Sequence, residues 1–369
     1  MKFLTTHSGR LERWLGNAVV EELSAGMRSW YGPPIPVGSV PGHVWAHRGG
    51  EFSGPIHAGH FCSAIDYAAN RLTHAIRRWT HGQFSVANTG FASLADLIAE
   101  ATAGKTRLFP FQKSGSAGVV GVTNSLWGLG TQPAAGANAA AAPGGEAPTD
   151  ATTGAFLFVN PTSPDTQHFV YGVVQASLAN TLLLYDRIFQ VNKTMASTAT
   201  EAVTGVPTRY QGSVGAADSP EGNFLFVEVG TPALSATAHN WTVCLYTDQA
   251  AGASTLPSLT GNASAIVRRL DHPVMQWFAP LAAGDSGIKT LTQMQCSASI
   301  AAGVINFVIG HPIVWLPVPL VNVACVTDGI YTAFNLARVF DDAALAFLEV
   351  SKPATTATNY NGCLRTVAG

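Results

Sequence analysis

The spacing of apolar residues along the chain is helical at first and then strand-like. In "SGRLERWLGNAVVEEL", Leu11, Leu15, Val19 and Leu23 recur four apart on one stripe, with Ser8 placed as an N-cap. "HFCSAIDYAANRLTHAIRRW" sets Phe61, Ile65, Leu72, Ile76 and Trp79 on one face and leaves Asp66, Asn70, His74 and Arg77 largely off it. Between these two predicted helices runs an extended Pro/Gly-rich segment, "YGPPIPVGSVPG". A third helix is predicted over "SLADLIAEATAG", opened by Ser93 and Asp96 in a capping-box-like pair and stopped by Gly104.

Beyond residue 150 the period falls to two. "NFLFVEV" divides Phe224, Phe226 and Glu228 from Leu225, Val227 and Val229. "NWTVCLYTD" alternates Trp241, Val243 and Leu245 with Thr242, Cys244 and Tyr246. In "TQMQCSASIAAGVINFVIG" the alternation of Met294, Cys296, Ala298 and Ile300, followed by "AAG", predicts a hairpin. The uncharged run Ile300 to Val326 is long enough to span a bilayer as one helix. Gly303, Gly310, Pro312, Pro317 and Pro319 cut it, however, into consecutive short buried strands. "GAFLFVN" at Gly154 and "GNFLFVE" at Gly222 echo each other, each followed by a Leu-Tyr strand, which raises the question of a duplicated β unit.

These elements predict an α+β, mainly β chain, with a helical N-terminal arm followed by an antiparallel β-sandwich or jelly-roll-like body. Residues 1–125 form the arm and helical region, 126–153 a low-complexity extended loop, and 154–369 the β-rich body. The body divides further at the echo, into 154–215 and 216–369.

Composition adds one strong constraint. Hydrophobic residues make up 47% of the 369, enough for a sizeable core, but charged residues only 11%, against roughly 25% in ordinary soluble domains. So sparsely charged a surface is expected to be covered, most simply by other copies of the chain. The segment Gly130–Thr149 sharpens this: it has one charge, Glu146, and almost nothing able to form a core. It is expected to be held by neighbouring copies through Gly130, Pro133, Gly136, Pro143, Gly144 and Pro148. Pro33, Pro34 and Pro36 are expected to lie across a neighbour in the same way.

Net charge is −2, so the whole molecule has no bias towards nucleic acid. The first 81 residues are mildly basic, and Arg71, Arg77 and Arg78 are the candidate face for a polyanion. The five cysteines, Cys62, Cys244, Cys296, Cys325 and Cys363, lack metal-type spacing and read as small hydrophobes in a reducing compartment. The opening "MKFLTTHSGRLERW" has no apolar core of a secretory signal.

No catalytic constellation emerges. "AEATAGKT" imitates a phosphate-binding loop at Gly104, Lys105 and Thr106, but the helix precedes the glycine instead of following it. His43 and His47, and His57 and His60, are weak metal-ligand candidates, and the flanking "VPG" and "RGG" disfavour the helix that would pair the first two. Ser116 lacks the glycine that a nucleophile elbow needs at position 114. Adjacent Asp341 and Asp342 would face opposite ways on a strand and form no acid–base pair. Asp186 and Arg187, inside an apolar run, are expected in a buried or interfacial ion pair. No cofactor is expected.

The phrases "SLWGLGTQPAAGA", "TLLLYDRIF", "LAAGDSGIKTLTQMQCSAS" and "DDAALAFLEV" resemble virion proteins encoded among the head genes of tailed bacteriophages, diffusely, from about Leu126 to the C-terminus. That resemblance implies a non-enzymatic capsid or capsid-associated role in the virion, with partners that are copies of the chain and other virion proteins. It also implies non-specific contact with packaged DNA, no membrane, and synthesis in the host cytoplasm. It admits an alternative fold, the tailed-phage capsid α+β fold with an extended loop, although the chain has no obvious long charged spine helix. Two other functions stand beside it: a trimeric tail or receptor-binding module, and a metal-dependent hydrolase using the cluster from His43 to His81.

Overall fold

The computed structural model describes residues 44–48, 52–56 and 90–369, apart from 116, 263–264, 301, 331–335 and 351. The chain divides into two compact units, 1–87 and 88–369. In the first, β1 (Val44–Arg48) and β2 (Phe52–Ile56) form an antiparallel hairpin with Val44 opposite Ile56 and Arg48 opposite Phe52. The helices predicted from Ser8 and from Phe61, and the Pro/Gly segment with Pro33, Pro34 and Pro36, lie outside the described residues.

The second unit opens on α1 (Leu94–Thr102), capped as its pattern predicts. Ser93 is extended, and its Oγ accepts the Asp96 N–H at 3.1 Å. Gly104, at φ +83, turns the chain into β3 (Thr106–Ser114). The order is helix, turn, strand, the reverse of a phosphate-binding loop. Lys105 pairs instead with Glu100 at 2.9 Å and Asp165 at 2.6 Å.

Three antiparallel sheets build the rest. The central one runs, in spatial order, β4 (Asn124–Ser125), β17 (Leu345–Val350), β7 (Asn180–Thr194), β14 (Val304–Val318) and β9 (Phe224–Val229). The second runs β15 (Cys325–Asp328), β6 (Gln167–Ala176), β18 (Asn359–Ala368), β3 and β5 (Thr131–Gln132), with β16 (Arg338–Val339) also on β6. The third runs β11 (Ala253–Thr255), β10 (Asn240–Asp248), β13 (Ile288–Cys296) and β8 (Glu201–Ala202), with β12 (Leu259–Thr260) also on β10. Strands from 154–215 and from 216–369 therefore interleave within the same sheets.

The 15-residue strands β7 and β14 are the spine, and one face of this pair serves two sandwiches. At one end Leu182, Leu184, Leu316 and Val318 pack with Phe109, Phe111, Phe169 and Leu364 of the second sheet. At the other, Phe189, Val191, Ile305, Phe307 and Ile309 pack with Trp241, Tyr246, Leu291 and Met294 of the third. Leu184 and Phe189 are five apart and would point to opposite faces of a regular strand. The register shows why they do not: Ile188 on β7 and Ile313 on β14 are unpaired extra residues, and each bulge restores the inward phase. The other face of the central sheet carries Leu183, Tyr185, Phe226, Val308 and Leu348 against Trp127 and Leu270. Strand β9, buried on both faces, serves both cores as its alternation predicts.

Four expectations are corrected. The run Ile300 to Val326 is not a series of short strands: β14 passes straight through Gly310, Pro312 and Pro317. It does so because β9 pairs with it only as far as Gly310. Beyond that point β14 has one flank free within its sheet, where a proline's missing N–H costs no ladder bond. Nor do β13 and β14 form a hairpin. Each pairs elsewhere, and Met294, Cys296 and Ile300 face Ile305, Phe307 and Ile309 across the core. On β10 the buried set is Trp241, Cys244 and Tyr246, because a bulge after Trp241 reverses the alternation. The echo at Gly154 has no structural counterpart either: Phe156 and Phe158 anchor an extended segment outside any strand, while Phe224–Val229 is a central strand. No described helix is long and apolar enough to cross a membrane.

Candidate functional site

The low-complexity segment is bound by its own chain. β17 pairs with β7 only up to Asp186, which leaves the following edge of β7 open. Residues 140–146 take that place. Ala142 N–H donates to Asn192 O at 3.1 Å, Asn192 N–H to Ala140 O at 2.9 Å, and Glu146 and Gln190 exchange backbone bonds at 2.8 and 2.9 Å. Side chains hold the flanks. Asn306 Oδ1 accepts the Ala139 N–H at 3.1 Å, Trp127 Nε1 donates to Ala137 O at 3.2 Å, and Arg209 Nη2 donates to Pro148 O at 2.9 Å. Lys113, almost fully buried, gives its ammonium protons to Leu129 O and Pro133 O, both at 2.7 Å, and burial lowers its pKa to about 8.

The partners expected from neighbouring copies are thus supplied internally, and the small side chains serve close approach within one molecule. A Cβ on Gly136 would stand 2.3 Å from Trp127 Nε1. Of the six positions assigned to contacts between copies, Pro133 and Pro148 are buried and Gly136 is half-buried, while Gly130, Pro143 and Gly144 are exposed.

Two buried ion pairs stand behind this segment. Asp186 and Arg187 are both fully buried but not paired with each other, because neighbours on a strand face opposite ways. Arg209 clamps Asp186 with two bonds of 2.8 and 2.7 Å. Arg187 meets Glu228 at 2.9 Å and lies over the Trp127 ring at 4.7 Å. Glu228 also lines a cleft of about 240 Å³ with Asn138, Thr231 and Arg268. A third network surrounds Glu349, whose carboxylate accepts from Asn124, Asn180, Lys352 and Tyr360.

Three histidines, His239 and His272 buried and His311 half-buried, are fixed in contrasting states. His272 Nε2 accepts the Val227 N–H at 2.8 Å, and burial drives its pKa down to about 4. Burial does the same to His311, which stacks on Tyr210 at 4.0 Å and bonds Asn223. For His239 burial also favours the neutral ring, but both ring nitrogens face acceptors, Asp271 Oδ2 at 2.8 Å and Thr237 O at 2.9 Å, and the net shift is upward.

The surface holds the feature that pattern reading missed. Residues 319–324 are all exposed, and so is Val326. Leu320, Val321 and Val323 are each about half exposed, and Val326 is 62% exposed. They lead into and form β15, which pairs with β6 on one side and is the outermost strand of the second sheet among the described residues. An edge strand preceded by uncharged, apolar side chains is a template for pairing with another chain. Lack of period-two alternation in "PLVNVACV", together with its position after two prolines, was the available signal. Trp315, partly exposed on β14, meets Trp277 edge-on nearby in the fold at 5.3 Å.

Of the other candidates, His47 lies on strand β1, while His43, His57, His60, Arg71, Arg77 and Arg78 lie outside the described residues. No group of three or more His, Cys, Asp or Glu among the described residues is placed to hold a metal ion. Cys244 and Cys296 are buried, whereas Cys325 and Cys363 are partly exposed. No protein-family model, curated protein or solved structure matches this chain.

Proposed function

We propose that the chain is a structural protein of a tailed-bacteriophage virion, a shell subunit or a cement protein, that works by associating with copies of itself. The observation that carries this reading is the exposed apolar run 319–326, which leads into the outermost described strand of its sheet, β15. Leaving four large aliphatic side chains in water forgoes burial worth about 25 cal/mol per Å²; a second chain laid along β15 would recover it and pair the open backbone groups. The scarcity of charge, 11% of residues, supports the same reading, as does the resemblance of the β-rich body to virion proteins. Arg71, Arg77 and Arg78 are the groups assigned to non-specific contact with packaged DNA. Negative-stain microscopy of the concentrated protein tests the proposal: rings, sheets or closed particles are expected, and a uniform field of single subunits contradicts it.

A receptor-binding tail module is the second reading, favoured by the Trp277–Trp315 pair with exposed Met275 close by in sequence. Aromatic faces of this kind suit a glycan or an apolar protein surface. Assembly that stops at a trimer, with glycan binding lost on Trp315→Ala, would favour this reading over the first.

A further inference from the structure

We propose that Lys352 and Asn124 join in an intramolecular amide cross-link, with Glu349 carrying the proton. This rests on the buried network itself and is independent of the assembly reading. β4 and β17 place Asn124 directly opposite Glu349. Just beyond β17 the chain stays in register: Lys352 N–H donates to Val122 O at 3.1 Å and Gly121 N–H to Lys352 O at 2.8 Å. All three side chains are completely buried.

Glu349 touches both reactants at once. Its Oε2 accepts from Asn124 Nδ2 at 2.9 Å and its Oε1 meets Lys352 Nζ at 3.2 Å. Gly118 leaves room for them to meet: Lys352 Cε and Asn124 Nδ2 stand 3.4 and 3.5 Å from the point a Cβ there would occupy. Asn124 Oδ1 is buried without a hydrogen-bond partner, which is unusual for a native amide. Asn180, the other amide at Glu349, is fully engaged, because its Oδ1 accepts the Thr181 N–H at 2.8 Å and its Nδ2 also serves Tyr360 at 2.8 Å.

Transfer of one ammonium proton to Glu349 leaves the Lys352 amine with a free lone pair. That lone pair attacks Asn124 Cγ and forms the new C–N bond. Glu349 moves a proton from the attacking nitrogen to Nδ2, the old C–N bond breaks, and ammonia leaves. A primary amine and a primary amide become a secondary amide and ammonia, with no oxidant or cofactor required. The product ties β4, at the entrance to the low-complexity segment, to the chain beyond β17.

Intact-mass measurement of the full chain, unfolded in denaturant, tests the proposal. The expected mass is one ammonia below that of the sequence, and proteolysis should release a branched peptide joining Lys352 Nζ to Asn124 Cγ. Glu349→Gln and Lys352→Arg should each restore the full mass expected for the variant. A wild-type chain at full sequence mass overturns the proposal whether or not the variants fold. A branch at Asn180, an ammonia loss traced to an unbranched succinimide, or a loss that persists in either variant overturns it equally.

Discussion

Gly130 and Gly136 sit six residues apart in the same segment and are expected to respond oppositely to one methyl group. Nothing lies within 4 Å of a Cβ at Gly130, whereas at Gly136 it would strike the Trp127 ring and come within 2.8 Å of Thr153 O. Chemical denaturation should show Gly130→Ala close to neutral and Gly136→Ala destabilised by about 1–3 kcal/mol, as for overpacking elsewhere. Arg187→Met should cost more, about 3–5 kcal/mol, because it strands Glu228 in the interior. The histidines set the acid limb. His272 and His311 stay neutral down to about pH 4 in the folded chain and charge near 6.5 once unfolded. The unfolded state therefore binds more protons between these values, and stability falls as pH drops through that window, by about 3 kcal/mol for each histidine at full extent. His239, shifted upward, has the opposite sign: its contribution is present below pH 6.5 and fades as pH rises through its folded pKa. Unfolding free energies from pH 7 to pH 4 should decline steeply, and His311→Gln should flatten the decline; an unchanged slope in that variant would contradict the assignment. The burial of Asp186 and Arg187 was legible in the sequence from the apolar residues around them. Their true partners, Arg209 and Glu228, were not, because those residues lie 23 and 41 positions further along the chain.

Among elements, those whose signals are local came through. Ser93, Gly104 and the alternation of Phe224–Val229 each act within a few residues, and the structure places α1, its turn and β9 accordingly. Where a bulge intervened, as after Trp241, the period-two rule lost phase, since one extra residue inverts every later side chain. Strand pairing failed for a different reason: "AAG" is a good turn whether the chain doubles back or crosses to another sheet, and only long-range packing decides. The low-complexity segment is poor in large side chains, yet its backbone groups find partners within the same chain. Backbone groups do the binding, and the gap beside β7 that receives them is invisible in the sequence. Deleting Gly130–Thr149 removes partners from Lys113, Asn192, Arg209 and Asn306. The expected result is loss of the cooperative thermal transition and of native circular dichroism; a deletion variant that melts like the intact chain would contradict this.

At the scale of the whole molecule, the sequence shows that charge is scarce but not where the uncharged part lies. The structure exposes one such run, 319–326, beside the sheet edge β15, in a stretch expected to be buried. The second unit has buried ion pairs and an internally strapped spacer of its own, so the assembly proposed above is expected to cover β15 and not to hold the fold. Sedimentation velocity across a wide concentration range, comparing the wild-type chain with a Val323→Lys, Val326→Lys variant, tests this most directly. The wild type should form large species as concentration rises, while the variant remains a folded single subunit with an unchanged melting transition. Single wild-type subunits at every concentration, or equal assembly by the variant, would contradict the account.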